Sequence, residues 1–316
     1  MAERAITRPA ITRTRRTSRR ARNENIAGWL WSSPWIVGFF LWTFGPMVYS
    51  LYLSLTKYNI ASAPIWIGLA NFRHALSGAD SLFWPSLIRT FTWAVVMVPL
   101  SLTGSLLAAL LLNQRLRGTH IFRTLFFLPS LTPAVASALL WQWLFQPNFG
   151  PINYLLSLAG VANPPLWFSD QHLAMPSLMI MTLWGAIGGG TMIIFLAGLQ
   201  GVPAELLEAA AMDGAGVLRR FYNVTLPMIT PTIFFNLVIG IIGALRTFAT
   251  AFVATNGGPH YATWFYILHL YQTAFQNFDM GYASALAWIF FVIVIFFTTI
   301  NVRLSRHWVY YEGETR

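Results

Sequence analysis

Six long stretches of this chain hold at most one charged side chain each, which limits the folds it can adopt. A helix that crosses a bilayer needs about 20 consecutive apolar residues. The uncharged run 124–169 is too long for one crossing, and Pro147, Pro151, Pro164 and Pro165 predict a loop in its second half. The pattern predicts an all-α integral membrane fold with six transmembrane helices. We expect them at about 29–55, 90–114, 121–145, 174–200, 229–252 and 280–302.

The composition of the chain also indicates a membrane protein. Of its 316 residues, 56% are apolar and 9% are charged, whereas soluble domains carry about 25% charged residues. The mean hydropathy is +0.56. Because the chain has no cysteine, neither a disulfide framework nor thiolate chemistry is available to it.

The basic residues predict which loops face the cytoplasm, because lysine and arginine concentrate in cytoplasmic loops. One set of alternate segments holds 16 of them: 1–27, 114–123, 201–228 and 303–316. The opposite set holds 2: 56–85, 146–173 and 253–279. We therefore expect both termini and the 201–228 loop to be cytoplasmic, with residues 1–27 forming a disordered basic tail.

Several functions are disfavoured by the same residues. The net charge of +10 does not indicate nucleic-acid binding, because eight of the 20 basic residues lie in the first 22 positions and most others in alternate loops. The only lysine, Lys57, follows no glycine-rich loop, so no Walker A site is present and the chain is not expected to be an ATP-hydrolysing enzyme. Its six histidines show no ligand-like clustering, and we predict no metal site.

The 201–228 loop holds more charged side chains than any other loop between two of the predicted spans. Pro203 suits the start of a helix, and 204–212 contains good helix formers. Asp213-Gly214 is expected to break this helix, and a second short helix is expected at about 217–224, ended by Pro227. The charged residues of the loop are Glu205, Glu208, Asp213, Arg219 and Arg220.

Two interpretations of this loop exist. It is either an amphipathic elbow that only connects two spans, or a docking element for a protein outside the membrane. Acidic and small residues lie close together here, on a surface otherwise poor in charge, and alanines at 209–211 permit close approach of a partner. These features favour docking.

Polar side chains within the spans are candidates for a solute route. Asn236, Gly240, Gly243 and Thr247 share one face of the fifth helix at helical spacing. Arg246 is a further candidate, since a charge within a span usually faces protein or a water-filled cavity. The alternatives are interhelical hydrogen bonding for Asn236 and snorkelling to the outer interface for Arg246.

The run 188–191 (GGGT) in the fourth helix also has two interpretations. It is either a flexible or solute-lining break, or a site of close helix packing through small residues.

Two other classes of membrane protein fit the sequence less well. A secondary transporter or channel needs intramembrane charges or a pore ring to couple or select, and the predicted spans hold little charge beyond Arg246. A membrane-embedded enzyme needs converging catalytic carboxylates or histidines, which the predicted spans lack.

The motif Glu208-Ala209-Ala210, Asp213-Gly214-Ala215, Phe221, Val224 and Leu226-Pro227 resembles the EAA loop of binding-protein-dependent ABC importer permeases. The family pattern reads E-A-A-x-x-D-G-A, five residues, F, two residues, I, one residue, and L-P. This chain departs from the pattern only at Val224, where isoleucine is usual and an apolar β-branched side chain is kept.

Other segments resemble the carbohydrate branch of these permeases, which includes maltose and glycerol-3-phosphate permeases. They are Leu116-Arg117-Gly118, 122–129 (FRTLFFLP), 255–259 (TNGGP), 281–285 (GYASA) and 308–314 (WVYYEGE). The resemblance covers nearly all of the chain from Trp29.

The resemblance implies a type I ABC importer permease fold with a cytoplasmic coupling helix. The permease domain is then 28–303, followed by a cytoplasmic C-terminal tail, 304–316. The residues expected to couple to an ATPase are Glu205, Glu208, Ala209, Ala210, Asp213, Gly214, Ala215, Leu226 and Pro227.

The function implied is that of a permease subunit in the cytoplasmic membrane of a prokaryote. The transporter imports a sugar or related carbohydrate by ATP-driven alternating access. The implied partners are a second homologous permease subunit forming a heterodimer, two copies of a cytoplasmic ATPase that hold the ATP and Mg, and an extracytoplasmic solute-binding protein. This chain itself is expected to hold no cofactor. The alternatives are an ABC permease for a non-sugar solute and an ion-coupled secondary transporter.

Overall fold

The computed structural model describes residues 19–114 and 118–310, with side chains from residue 22 onward. Most of the predicted basic tail, Leu116-Arg117 of one resembling segment and Tyr311 to Glu314 of another lie outside the described residues. Contacts divide the chain into two units, 1–52 and 53–316.

The first unit is helical throughout its described part. It contains α1 (Arg19–Phe39), a π-helical turn (Phe40–Phe44) and α2 (Gly45–Ser54), whose last two residues belong to the second unit. Together they form an apolar helix of 33 residues, Arg22–Ser54, long enough to cross a membrane. The helix starts before residue 28, the predicted beginning of the permease domain.

The second unit begins with a small surface substructure and continues as helices. The substructure is an antiparallel pair of two-residue strands, β1 (Thr56–Lys57) and β2 (Ile65–Trp66), and α3 (Ala70–Leu76). The next helices are α4 (Phe83–Leu112), α5 (Thr119–Phe127), α6 (Ala134–Leu144), α7 (Pro151–Leu158), α8 (Ala174–Ala186) and α9 (Gly190–Gln200). Two 3₁₀ turns, Leu128–Leu131 and Trp167–Ser169, lie among them.

Shorter helices alternate with two further spans in the remainder of the chain. They are α10 (Ala204–Met212), α11 (Val217–Arg220), α12 (Leu226–Met228), α13 (Thr230–Leu245), α14 (Ala249–Ala254), α15 (Tyr266–Tyr271) and α16 (Met280–Trp308). Two π-helical turns, Phe221–Thr225 and Gln272–Gln276, follow α11 and α15.

The described residues contain three helices long and apolar enough to cross a membrane, and six such spans when each bent pair is one. The single helices are Arg22–Ser54, α4 and α16. The bent pairs are Thr119–Leu131 with α6 (95°), α8 with α9 (47°), and Val217–Met228 with α13 (66°). The predicted all-α fold with six spans is confirmed, but three of the spans are broken rather than straight.

Two of the breaks coincide with a proline and a glycine. Between the 3₁₀ turn and α6, Pro133 lacks the N–H that an uninterrupted helix would need. Between α8 and α9, Gly189 has an extended backbone, ψ −158°. The expectation of one continuous helix at 121–145 and of another at 174–200 was therefore wrong.

Three other boundaries differ from those predicted. Helix α4 starts at Phe83, so Arg89 lies inside a span that was expected to start at residue 90. Helix α13 ends at Leu245, and 249–254 is a separate helix, because the backbone turns at 246–248. Helix α16 continues five residues past 303, to Trp308.

Three buried clusters form the core of the second unit. One lies beside α10 and joins Leu112, the end of α4, to Leu199 of α9 and Ile229. Another joins Phe83, the start of α4, to Tyr266 and to α16. The third connects the middle of α4 with α8, α14 and Phe265. We call the end that carries α10 the loop end and the opposite end, at Phe83, the far end.

Candidate functional site

Helix α10 projects from the loop end with none of its residues buried. Pro203 precedes it with φ −59° and Glu205 lies in its first turn, where the helix dipole stabilises a carboxylate. Glu208, Ala209 and Asp213 are exposed. The predicted bounds of this short helix, 204–212, are confirmed.

The end of α10 is fixed by backbone hydrogen bonds. Ala215 N donates to Ala210 O (2.9 Å) and Gly214 N donates to Ala211 O (3.0 Å). This is a Schellman arrangement, which requires a left-handed residue after the helix, and Gly214 provides it with φ +78°. The spacing of the acidic, alanine and glycine residues therefore gives a short helix with a defined end.

The chain leaves the loop through α11, a π-helical turn and α12. Val217 and Leu218 are each 74% exposed, so apolar side chains face outward beside the acidic surface of α10. Pro227 does not end this segment as predicted, because it sits in the first turn of α12, where its missing N–H is not needed. The chain bends instead at Ile229, after Met228.

A second candidate site is a cavity of about 180 Å³ between α4, α8, α9 and α13. Asn236, Gly240 and Thr247, predicted to share a face of the fifth span, all line it together with Gly243. Its other polar lining residues are Trp93, Ser101, Thr182 and Thr191. Thr191 belongs to the 188–191 run, for which a solute-lining role was one of the two interpretations. The other three were not predicted, although Trp93, Met97 and Ser101 recur at the spacing of one helix face.

Two buried polar atoms in the cavity wall have no hydrogen-bond partner among the described residues. They are Asn236 Nδ2 and Thr182 Oγ1, and Asn236 is only 3% exposed. An unpaired buried polar group costs about 1–3 kcal/mol. The arrangement therefore provides hydrogen-bonding capacity for a polar molecule in the cavity.

The structure does not bring Arg246 to this cavity. Arg246 follows the last residue of α13 and is exposed, while its neighbour Thr247 lines the cavity. Arg89, four residues before Trp93 on α4, is partly buried, and its Nη1 has no partner among the described residues.

The glycine run between α8 and α9 combines both of its predicted roles. A side chain at Gly188 would collide with the backbone of Phe126. At the same position the helix breaks, and Thr191, just beyond, lines the cavity. The segment 188–191 thus both packs closely against Phe126 and interrupts the span between α8 and α9.

The described residues contain no group of three or more His, Asp or Glu side chains that could hold a metal ion.

Residues 100–309 match a family described as the binding-protein-dependent transport system inner membrane component. The chain belongs to this family. It is accordingly a multi-pass inner-membrane component of a transport system, and we refer to it below as the permease.

The permease is similar to several curated proteins over almost its whole length. It is 45% identical to the probable ABC transporter permease protein YesP of Bacillus subtilis (strain 168) over 300 residues, 94% of this chain and 96% of that protein. It is 35% identical to the sn-glycerol-3-phosphate transport system permease protein UgpA of Yersinia pestis over 276 residues, 87% of this chain and 91% of that one. It is 31% identical to the trehalose/maltose transport system permease protein MalF of Thermococcus litoralis over 293 residues, 92% and 97% of the two chains.

Solved structures share the fold of the permease. A bacterial ABC transporter involved in import of the acidic polysaccharide alginate contains a chain with a TM-score of 0.79 and 22% identity, covering 92% of this chain and 99% of that one. The structure of a bacterial alginate ABC transporter in complex with an alginate pentasaccharide-bound periplasmic protein contains a chain with a TM-score of 0.81 and 21% identity. The match covers 93% of this chain and 98% of that one. The predicted fold, that of type I ABC importer permeases, is confirmed.

Proposed function

We propose that the permease is the transmembrane subunit of an ATP-driven importer that moves a sugar or related carbohydrate inward by alternating access. In this proposal the loop end faces the cytoplasm and the loop from Ala204 to Pro227 docks on an ATPase. A second permease subunit, two ATPase copies and an extracytoplasmic solute-binding protein complete the transporter. The observation that carries the proposal is the exposed helix α10 with its fixed end at Gly214.

The exposure of α10 supports docking over a simple connection. A connecting elbow needs no defined surface, whereas here Glu208 and Asp213 are exposed while Gly214 fixes the end of the helix. Met212, at the tip, is 89% exposed. A protruding apolar tip beside carboxylates is suited to a cleft in a partner protein.

The cavity supports passage of a polar solute. Its unpaired amide and hydroxyl, Asn236 Nδ2 and Thr182 Oγ1, can hydrogen-bond to a sugar hydroxyl, and Trp93 provides an aromatic surface. The volume of about 180 Å³ is below the range of about 300–1,000 Å³ usual for drug-sized ligands. The cavity must therefore widen during transport. The relatives named for glycerol-3-phosphate, trehalose/maltose and alginate support a carbohydrate or related polyol as the solute.

The proposal is tested by charge reversal and by backbone strain in the loop. The transporter, assembled with the subunits encoded beside it, is reconstituted into vesicles and its uptake and bound ATPase are measured. We expect Glu208→Lys and Gly214→Asp to reduce uptake at least about tenfold and to release the ATPase, because coupling requires the docked surface. Both variants should remain in the membrane.

The matched control for Gly214→Asp is Gly160→Asp. Gly160 also has a left-handed backbone, φ +91°, with open space around it, but it follows α7 rather than α10. The same strain at Gly160 should leave ATPase association unchanged. Normal uptake with normal ATPase association in both loop variants would refute the docking assignment.

A further inference from the structure

A buried polar cluster at the far end joins three separate segments of the chain. Asp80, in the connection between α3 and α4, accepts a hydrogen bond from Tyr282 Oη at 2.7 Å through its Oδ2 atom. His269 Nε2 lies 2.7 Å from the same oxygen. The His269 and Asp80 side chains are 8% and 11% exposed.

The hydrogen bonds of His269 define its tautomer. Trp264 Nε1–H, which can only donate, lies 3.3 Å from His269 Nδ1, so this nitrogen accepts. In the neutral ring the proton is then on Nε2, which donates to Asp80. His269 therefore links Trp264 on one side to the carboxylate on the other.

Asp80 also fixes the start of α4. Its Oδ1 accepts a hydrogen bond from Leu82 N at 2.9 Å, just before the helix begins at Phe83. Burial raises the pKa of Asp80, but the interactions of the carboxylate with Tyr282, His269 and Leu82 outweigh it and leave the pKa below its usual value. The carboxylate accordingly stays charged at neutral pH.

Trp264 connects this cluster to the turn formed by residues 255–263. A side chain at Gly257 would collide with the Trp264 ring, so the turn packs directly on the indole. Within the turn, the Thr255 and Thr263 hydroxyls are 2.6 Å apart, and Thr263 Oγ1 donates to Gly258 O at 2.9 Å.

The outer surface of the same turn is exposed and strained. Asn256, His260 and Tyr261 are exposed, and they have φ of 48°, 47° and 60° respectively. Side chains other than glycine rarely adopt this left-handed region, at a cost of about 1–2 kcal/mol per residue, and such residues persist where surrounding structure holds them. The buried cluster beneath supplies that support.

We propose that Asp80, His269 and Tyr282 are positioning residues of the transporter, forming a clamp that holds the turn 255–263 in the arrangement engaged by the solute-binding protein. This inference rests on the proposed function, since it places the far end outside the cell. The clamp acts through Trp264, and none of its three members needs to contact the binding protein.

Asparagine and glutamine at position 269 test the clamp, because each places its amide group near the position of one ring nitrogen of the histidine. In His269→Gln the amide nitrogen replaces Nε2 and still donates to Asp80. In His269→Asn the amide group reaches only the Nδ1 position, and the bond to Asp80 is lost. ATPase activity of the reconstituted transporter is measured against the concentration of its binding protein, with His172→Asn, an exposed histidine, as the control.

We expect His269→Asn to raise the half-saturating concentration of binding protein about tenfold with an unchanged maximal rate, since only recognition of the turn is impaired. His269→Gln, which keeps the bond to Asp80 and loses only the acceptor for Trp264, should give a smaller increase, and His172→Asn should behave as the natural protein. Tyr282→Phe, which removes a single hydroxyl, should give a smaller increase and provides a test that does not depend on folding of the histidine variants.

The clamp proposal would be overturned if the His269→Asn and His269→Gln variants had the same half-saturating concentration of binding protein. It would also be overturned if these variants lowered only the maximal ATPase rate. Unchanged half-saturation in Tyr282→Phe would do the same. Failure of the proposed function has a different signature: the natural transporter itself would show no ATPase stimulation by the binding protein.

Discussion

At the scale of single residues, asparagine side chains in this permease have two distinct roles. Both polar atoms of the Asn153 amide have hydrogen-bond partners. Its Nδ2 donates to Pro147 O and Pro165 O, each at 3.0 Å, and its Oδ1 accepts from Trp167 Nε1. Asn236 is equally buried, yet its Nδ2 has no partner among the described residues. The first therefore maintains structure, and we propose that the second binds a solute.

This difference gives a prediction for leucine substitutions of similar shape. Asn236→Leu should leave the thermal unfolding temperature unchanged or raise it, because an unpaired polar group is removed, and should reduce uptake about tenfold or more. Asn153→Leu should destabilise the protein by about 2 kcal/mol or more, because it orphans three hydrogen-bonding groups. Thermal unfolding and vesicle uptake measure the two effects separately.

A lower unfolding temperature for Asn236→Leu with normal uptake would assign Asn236 to interhelical structure. That was the alternative left open by the sequence.

How far residue roles were predictable depends on sequence separation. Asn236 and Gly240 were found because cavity-lining residues on one helix recur at its period, and Thr247 lines the same cavity from just beyond the end of that helix. Asp80 and His269 were missed because they lie 189 positions apart, and no local pattern relates them. Arg246 was placed on a continuous helix, but α13 ends one residue before it.

At the scale of elements, the sequence predicted which segments are helical but not where the spans bend. Apolar runs define a crossing by length and composition. A bend depends on contacts with other segments, such as the approach of Gly188 to the backbone of Phe126. The π-helical turn Phe221–Thr225 likewise has no distinguishing composition, and so the role of Pro227 was misjudged.

The break between α8 and α9 gives a second prediction. Gly188→Ala should destabilise the protein by about 1–3 kcal/mol, because the new methyl group collides with rigid backbone rather than with a flexible side chain. Gly190→Ala, two residues away, has open space at its Cβ position and should be nearly neutral. Thermal unfolding of the two variants decides the matter, and equal stability would show that α5 does not pack against the break as described.

At the scale of the whole molecule, the number of spans and their order followed from uncharged runs alone. Because the bilayer requires about the same length of apolar chain for each crossing, the number of spans can be predicted from the sequence. The proposal that a partner subunit supplies the energy also has a sequence basis, since Lys57 is the only lysine and follows no glycine-rich loop.

This absence gives a prediction for the intact transporter. The permease alone should neither hydrolyse ATP nor accumulate solute under a proton or sodium gradient, because its energy input is expected at the α10 loop. Uptake should appear only when the ATPase and ATP are both present inside the vesicle. Gradient-driven uptake by the permease alone would instead favour a secondary transporter.

Helix α16 is attached at both of its ends. At the far end Tyr282 hydrogen-bonds to Asp80, and at the loop end Tyr310 N, just past the helix, donates to Thr230 Oγ1, whose hydroxyl donates to Pro227 O. From Tyr282 to Trp308 the helix contains no proline, glycine or π-helical turn, the usual sites of sharp kinks. This part of α16 is therefore one uninterrupted helix about 39 Å long, at about 1.5 Å per residue. We therefore expect a displacement of the loop exit to be transmitted along α16 to the clamp, because the helix has no sharp break to absorb it.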